Sequence, residues 1–328
     1  MTHTATAVSC ANIAFVKYWG RKDDALRLPL NSSISMNLDA ATTITTVAFD
    51  PALAADQVMV EGADDDGKTA RRVSEHLDRI RALAGVSTCA RVASRNSFPM
   101  GAGIASSASA FAALTAAACA AAGLDLDERA LSILARQGSG SACRSIPAGF
   151  VEWHAADASA ESYAESIAPP GHWDLRDLIA IVQTAHKAVG SSKGIALVGT
   201  SPFAAARLAE AERALPVIRR AILERDFATF GEETEQEAIR MHAVAMTSRP
   251  SLLYWSPETV RLMLAIRAWR DEGLPAYFTI DAGANVHVLC EGIHADAIEA
   301  RLRATPGVLD VIANRPGPGA RLIDDHLF

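Results

Sequence analysis

The stretch Pro99–Ser109, PMGAGIASSAS, places a proline, two glycines and three serines in eleven positions, then runs into the alanine-rich ASAFAALTAAACAAAGL of Ala108–Leu124. It is entered from CARVASRNSF, which reads as a strand. Glycine lets a backbone turn tightly and come close to a ligand. A helix beginning near Ser106 exposes unpaired N–H groups and the positive end of its dipole, and serine hydroxyls add donors. No lysine follows, so this is not the G-x-x-x-x-G-K-[ST] loop. Two readings stand at this point: a serine-capped helix start, or an anion cradle of the phosphate-binding kind. The alanine run is short and weakly apolar for a membrane span, and predicts a tightly packed internal helix.

Outward from this stretch, the chain groups its strands and helices. Ile34–Asp50 is rich in Thr, Val and Ile and predicts one or two antiparallel strands. Ala70–Gly85 sets Val73, Leu77, Ile80 and Leu83 at helical spacing and stops at glycine. Leu126–Gln137 predicts a helix capped by Asp127. Gly149–Trp153 and Leu175–Ala185 read as strands. Ser201–Glu224, Asp226–Ala245 and Pro257–Glu272 read as long amphipathic helices. Pro275–Glu291 alternates as two strands around a glycine-containing turn, followed by a helix and a last strand at Gly307–Asn314. The pattern is α+β, with a division near residue 180.

The 328 residues, half of them hydrophobic, suffice for two domains. A net charge of −7 argues against a general nucleic-acid or membrane-surface binder. Five scattered cysteines without a C-x-x-C pair, and a start lacking a basic segment before a long apolar core, predict a reduced, cytoplasmic protein. The nine histidines show no metal-ligand spacing, and His186 and His242 read as surface residues at helix or strand ends.

Five segments carry a resemblance. Pro99–Ala108 resembles the P-x-x-x-G-L-A-S-S-A motif of the GHMP kinase superfamily, with Ile104 for leucine. Ala11–Asp39, ANIAFVKYWGRKDDALRLPLNSSISMNLD, resembles the opening of the mevalonate diphosphate decarboxylases. RQGSGSACRSIPAGFVEW (Arg136–Trp153), IDAGANVHVL (Ile280–Leu289) and the closing GPGA (Gly317–Ala320) resemble later segments of the same family. The resemblance implies a GHMP kinase-like two-domain fold: an N-terminal ribosomal S5 domain 2-like unit (1–180), a C-terminal ferredoxin-like unit (181–328) and a site in the cleft between them. It implies ATP- and Mg²⁺-dependent decarboxylation of a 5-phosphorylated mevalonate. The diphosphate is the default substrate; the alternatives are the 5-monophosphate or a kinase that stops after phosphorylation. Relatives of this kind are commonly homodimers.

The resemblance also assigns residues. Asp281 faces the C3 hydroxyl, and Lys17 neutralises the transferred phosphate; read without it, they are a turn aspartate and a surface lysine. Tyr18, Arg21 and Lys22 reach the 5-phosphoryl group. Ser139, Gly140, Ser141 and Arg144 hold substrate, with Arg144 and Asn12 at its carboxylate. Gly101, Gly103, Ala105, Ser106, Ser107 and Ser109 meet the ATP phosphates, with Ser106 also a metal ligand. In the segment Ala185–Phe203, Lys187 and Ser191 are expected to meet ATP, and Ser192 and Lys193 to meet substrate. Lys193 stands where bacterial relatives carry arginine, so this loop is expected to bear on the choice between one phosphate and two. Arg72 is left between a surface role and a further cation.

Overall fold

The computed structural model describes residues 3–62, 67–98, 106–184 and 189–328. In chain order the strands and helices begin with β1 (His3–Val16), β2 (Arg21–Asp23), β3 (Leu28–Pro29), β4 (Ser33–Phe49) and β5 (Gln57–Val60). Next come α1 (Lys68–Ala84), β6 (Ala90–Asn96), α2 (Ser106–Ala121), α3 (Glu128–Gly138), β7 (Phe150–Trp153), β8 (Ala164–Ala168) and β9 (Leu175–Ile181). The second half holds α4 (Ser191–Ala196), α5 (Ala204–Glu224), α6 (Phe227–Thr247) and α7 (Pro257–Asp271). It closes with β10 (Tyr277–Thr279), β11 (Val286–Glu291), α8 (Ala295–Ala304), β12 (Asp310–Asn314) and β13 (Arg321–Ile323).

Two sheets carry the fold. In the first, β13, β1, β4, β6 and β5 follow one another, and β7 joins β4 to β8. The second has the order β10-β11-β9-β12 and is antiparallel. The long pair β1–β4 bulges between Cys10 and Ala11 and again between Ala14 and Val16. Such bulges bend a strand and re-aim the side chains beyond it, and Lys17 comes directly after the second. The β-branched run of β4 forms one long strand.

The alanine-rich helix α2 packs across β1 and β4. Ala112, Ala113, Ala117 and Ala118 are fully buried there. Small side chains permit this close approach, and the helix is internal, as its composition predicted. Asp127 caps α3 by accepting the Ala130 amide at 2.7 Å. On the other face of the first sheet, Ile13, Phe15, Ile34 and Met36 share a core with Leu178, Ile179 and Phe278 of the second. Phe15 and Phe230 meet edge to face, centroids 4.7 Å apart, tying β1 to α6. A division at residue 180 meets this topology in two places. β9 already belongs to the second sheet, and β13 returns to the first through β1.

Candidate active site

A cavity of about 350 Å³ opens where the two sheets approach each other. Lys17 leaves the end of β1, and Asp281 sits in the turn between β10 and β11, where Gly283 N–H closes back on the Asp281 carbonyl at 2.7 Å. Lys17 Nζ lies 2.6 Å from Asp281 Oδ1. Residues 264 apart in sequence thus form one ion pair, and Lys17 is 1% exposed instead of lying on the surface. Burial pulls the Lys17 ammonium below its ordinary value, and Asp281 and Glu237 oppose that pull. For Asp281, burial raises the pKa, but Lys17, His287 and Arg144 together carry it below the usual carboxylate range. Among the described residues lining the cavity, Asp281 is the only carboxylate.

Arg144 stands in a 3₁₀ turn (Gly140–Ser145) after α3 and is 3% exposed. It donates to Ser33 Oγ at 2.7 Å and to Asn12 Oδ1 at 3.1 Å. Its Nε has no partner among the described residues, and burial lowers its pKa. A buried guanidinium without a carboxylate partner is suited to receive one. Asn12 does not line the cavity. It donates to Ser145 Oγ at 2.8 Å and to the Ser141 carbonyl at 3.2 Å, which ties it to Arg144 and its turn. A Cβ on Gly140 would fall 2.7 Å from the Tyr18 ring, which explains the glycine. The Tyr18 hydroxyl in turn accepts Arg21 Nε at 2.8 Å.

Ser106 and Ser107, at the first turn of α2, line the same cavity, and Ser107 Oγ lies 3.2 Å from Ser139 Oγ. Ser191 and Ser192, opening α4, line it too, as does Ser141. A smaller pocket of about 160 Å³ adjoins it, sharing Arg72, Ser106 and Ser107 and lined further by Val60, Val73 and Leu114. Arg72 is exposed, but it lies against the Phe111 ring and faces both spaces.

Three expected site residues stand off the cavity. Lys22 points away from the cavity and pairs with Asp157 at 2.6 Å, because alternation along β2 turns Arg21 inward and Lys22 outward. Lys193 is exposed on α4 and does not line the cavity, whereas Ser191 and Ser192 before it do. Ser109 is fully buried against β4, bonded to Thr43 Oγ1 at 2.7 Å, one helical turn away from the exposed start of α2. His242 is likewise no surface residue. It is 1% exposed, packs on Trp255, and burial pushes its imidazole down to about 3. Gly101, Gly103, Ala105, Lys187 and His186 lie outside the described residues.

The sequence reading missed a buried network that fixes Lys17. Arg207 of α5 pairs with Glu237 of α6, both nearly fully buried. Arg207 also donates to the Lys17 carbonyl and to Asn31 Oδ1, and Glu237 accepts the Lys17 amide at 3.2 Å. In sequence these are ordinary charges on amphipathic helices. Nothing local separates them from solvated ones.

The two-sheet fold, a helix start facing a cleft and a paired carboxylate within it fit the ATP-using, GHMP kinase-like architecture that the sequence motifs resemble. Residues 9–164 match the model of the diphosphomevalonate decarboxylase-like N-terminal domain, and residues 177–310 that of the mevalonate 5-diphosphate decarboxylase C-terminal domain. The chain belongs to the mevalonate diphosphate decarboxylase family. It is similar to the solved Staphylococcus aureus mevalonate diphosphate decarboxylase, with 37% identity, TM-score 0.93 and 99% of each chain covered. A second structure, described as MDDEF in complex with MVAPP, AMPPCP and magnesium, has TM-score 0.92 and 37% identity, covering 99% of this chain and 100% of that one. The phosphomevalonate decarboxylase of Haloferax volcanii is 33% identical over 98% of both chains.

Proposed function

We propose that the protein catalyses ATP- and Mg²⁺-dependent decarboxylation of mevalonate 5-diphosphate, giving isopentenyl diphosphate, ADP, phosphate and carbon dioxide. The observation that carries this reading is the Lys17–Asp281 pair beside Arg144, a buried cation with no carboxylate of its own. Asp281, held ionised, accepts the proton of the C3 hydroxyl while its oxygen attacks the γ-phosphorus and ADP leaves. Lys17 offsets the negative charge that gathers there. The C3–O bond then breaks with phosphate as leaving group. The C1–C2 bond electrons form the new double bond as carbon dioxide departs. Arg144 holds the carboxylate in place until that step, and Ser139 and Ser141 stand beside it.

The start of α2 with Ser106 and Ser107, and Ser191 across the cleft, form a cradle of hydroxyls and backbone amides suited to nucleotide phosphates. Among the described residues no group of three or more acidic, histidine or cysteine side chains is placed to hold a metal. Ser106, which lines the cavity, would hold a Mg²⁺ together with the nucleotide phosphates, and the ion would screen their charge.

The deciding test is ATP-dependent carbon dioxide release with mevalonate 5-diphosphate and 5-phosphate side by side. Preference for the diphosphate supports the reading, and preference for the monophosphate makes the product isopentenyl phosphate. Phosphorylation without carbon dioxide would leave a kinase. Arg144→Ala is expected to raise KM for the carboxylate substrate roughly 10- to 100-fold. An unchanged KM removes its role. Lys193→Arg is expected to leave the ratio of specificity constants unchanged, since the side chain lies off the cavity.

The same reading includes two units divided near residue 180, a cytoplasmic location and a homodimer, the last testable by light scattering. Among the described residues no helix is long and apolar enough to cross a membrane.

A further inference from the structure

The turn between β2 and β3 departs from a local rule. Arg27 holds φ at 53°, in the left-handed region that glycine or asparagine fills more readily. Its side chain is half-buried and runs into the cavity, where Nε donates to the Gln137 carbonyl at 2.9 Å, close to Ser139 and Gly140. Its terminal nitrogens meet no carboxylate among the described residues. Arg21 lines the same wall but is engaged by the Tyr18 hydroxyl and by Asp24, each at 2.8 Å. Arg72 approaches from α1. Burial, with the charges of Arg21 and Arg72, pulls the Arg27 guanidinium below its ordinary value.

Three guanidinium groups thus gather along one wall, and among the described residues their sole ion-paired carboxylate, Asp24, is largely exposed. The cavity's own carboxylate, Asp281, is already paired with Lys17. Such a wall is suited to an anion. A strained backbone and an uncompensated cation are separate observations on one residue, and local rules are broken most often at functional positions.

Arg144 and Asp281 mark the reacting end of the substrate, while Tyr18 and Arg21 lead away from it toward Arg27. The start of α2 faces the nucleotide. α4 offers serines to the cavity and keeps Lys193 outside, so it adds no cation there. We propose that Arg27, with Arg21, binds the distal phosphate of the diphosphorylated substrate and so selects diphosphate over monophosphate. This rests on the decarboxylase reading above.

Arg27→Gly tests it, because glycine suits the backbone at this position and preserves the turn. Expected is a loss of roughly 10- to 100-fold in kcat/KM for mevalonate 5-diphosphate, carried by KM, with the monophosphate little changed. Equal losses for both substrates, or a loss confined to the KM for ATP, would overturn the assignment. A second measurement does not require turnover. Inorganic pyrophosphate should raise the melting temperature of the wild-type protein more than inorganic phosphate does, and Arg27→Gly should erase that difference. If neither substrate releases carbon dioxide, the decarboxylase reading fails, and the substrate assignment to Arg27 with it. If carbon dioxide is released but the pyrophosphate preference survives in Arg27→Gly, the proposal for Arg27 alone fails.

Discussion

Asp281→Asn is expected to lower kcat by roughly 10²- to 10⁴-fold, the usual contribution of a positioned general base, while nucleotide binding stays close to wild type. Asparagine keeps the shape and can still orient a hydroxyl, but it cannot take the proton. Asp281 is the only carboxylate among the described lining residues, so no neighbour there can substitute. The substitution also strips Lys17 of its partner. Burial already pulls that ammonium down, and without Asp281 a larger fraction is neutral. Both changes act on the chemical step. Single-turnover carbon dioxide release, with a nucleotide titration on the same preparation, separates the outcomes. Loss of nucleotide binding would make Asp281 structural.

Lys17→Met is expected to cost roughly 10²- to 10³-fold in kcat and to move the acid limb of the pH profile upward. In the native protein the Asp281 pKa is depressed, against the opposing effect of burial, by Lys17 first and then by His287 and Arg144. The wild-type limb is therefore expected below the usual carboxylate range. With Lys17 gone, burial acts on Asp281 against weaker opposition and its pKa rises. The same linkage sets the sign for stability. A depressed carboxylate stabilises the fold above its unfolded pKa, about 3.9, and that contribution fades as pH falls through the folded value. Measuring kcat/KM against pH for both proteins checks this. An unmoved limb would show that the pair is not coupled in the working enzyme.

The elements themselves were largely legible. α1, α3, α6 and α7 lie within a few residues of their predicted spans because periodicity, caps and stop signals act over a few residues. The cavity's aspartate and arginine, Asp281 and Arg144, were legible through short motifs, since turns that present such groups need glycine and small residues in fixed order. Less legible was the direction of a side chain within a legible segment. Lys22 and Lys193 sit beside inward-facing residues, and one step along β2 or α4 turned each of them out. Asn12 was expected at the carboxylate itself but stands one layer behind, holding Arg144.

By itself the sequence determined the α+β class, the order of the elements and the chemical types available: a lysine, an aspartate, an arginine and a serine-rich helix start. Tertiary structure alone decided which of them meet. Lys17 and Asp281 are paired because β1 and β10 come from opposite sheets that share one apolar core. Arg207 and Glu237 are buried because α5 and α6 cover that junction, not because their helices look apolar. Arg27 faces the cavity because a left-handed turn and the end of α3 aim it there. Local propensities fix elements over a few residues, whereas burial and charge pairing depend on what packs from far along the chain, so the site's electrostatics exist only once the two sheets have closed on each other.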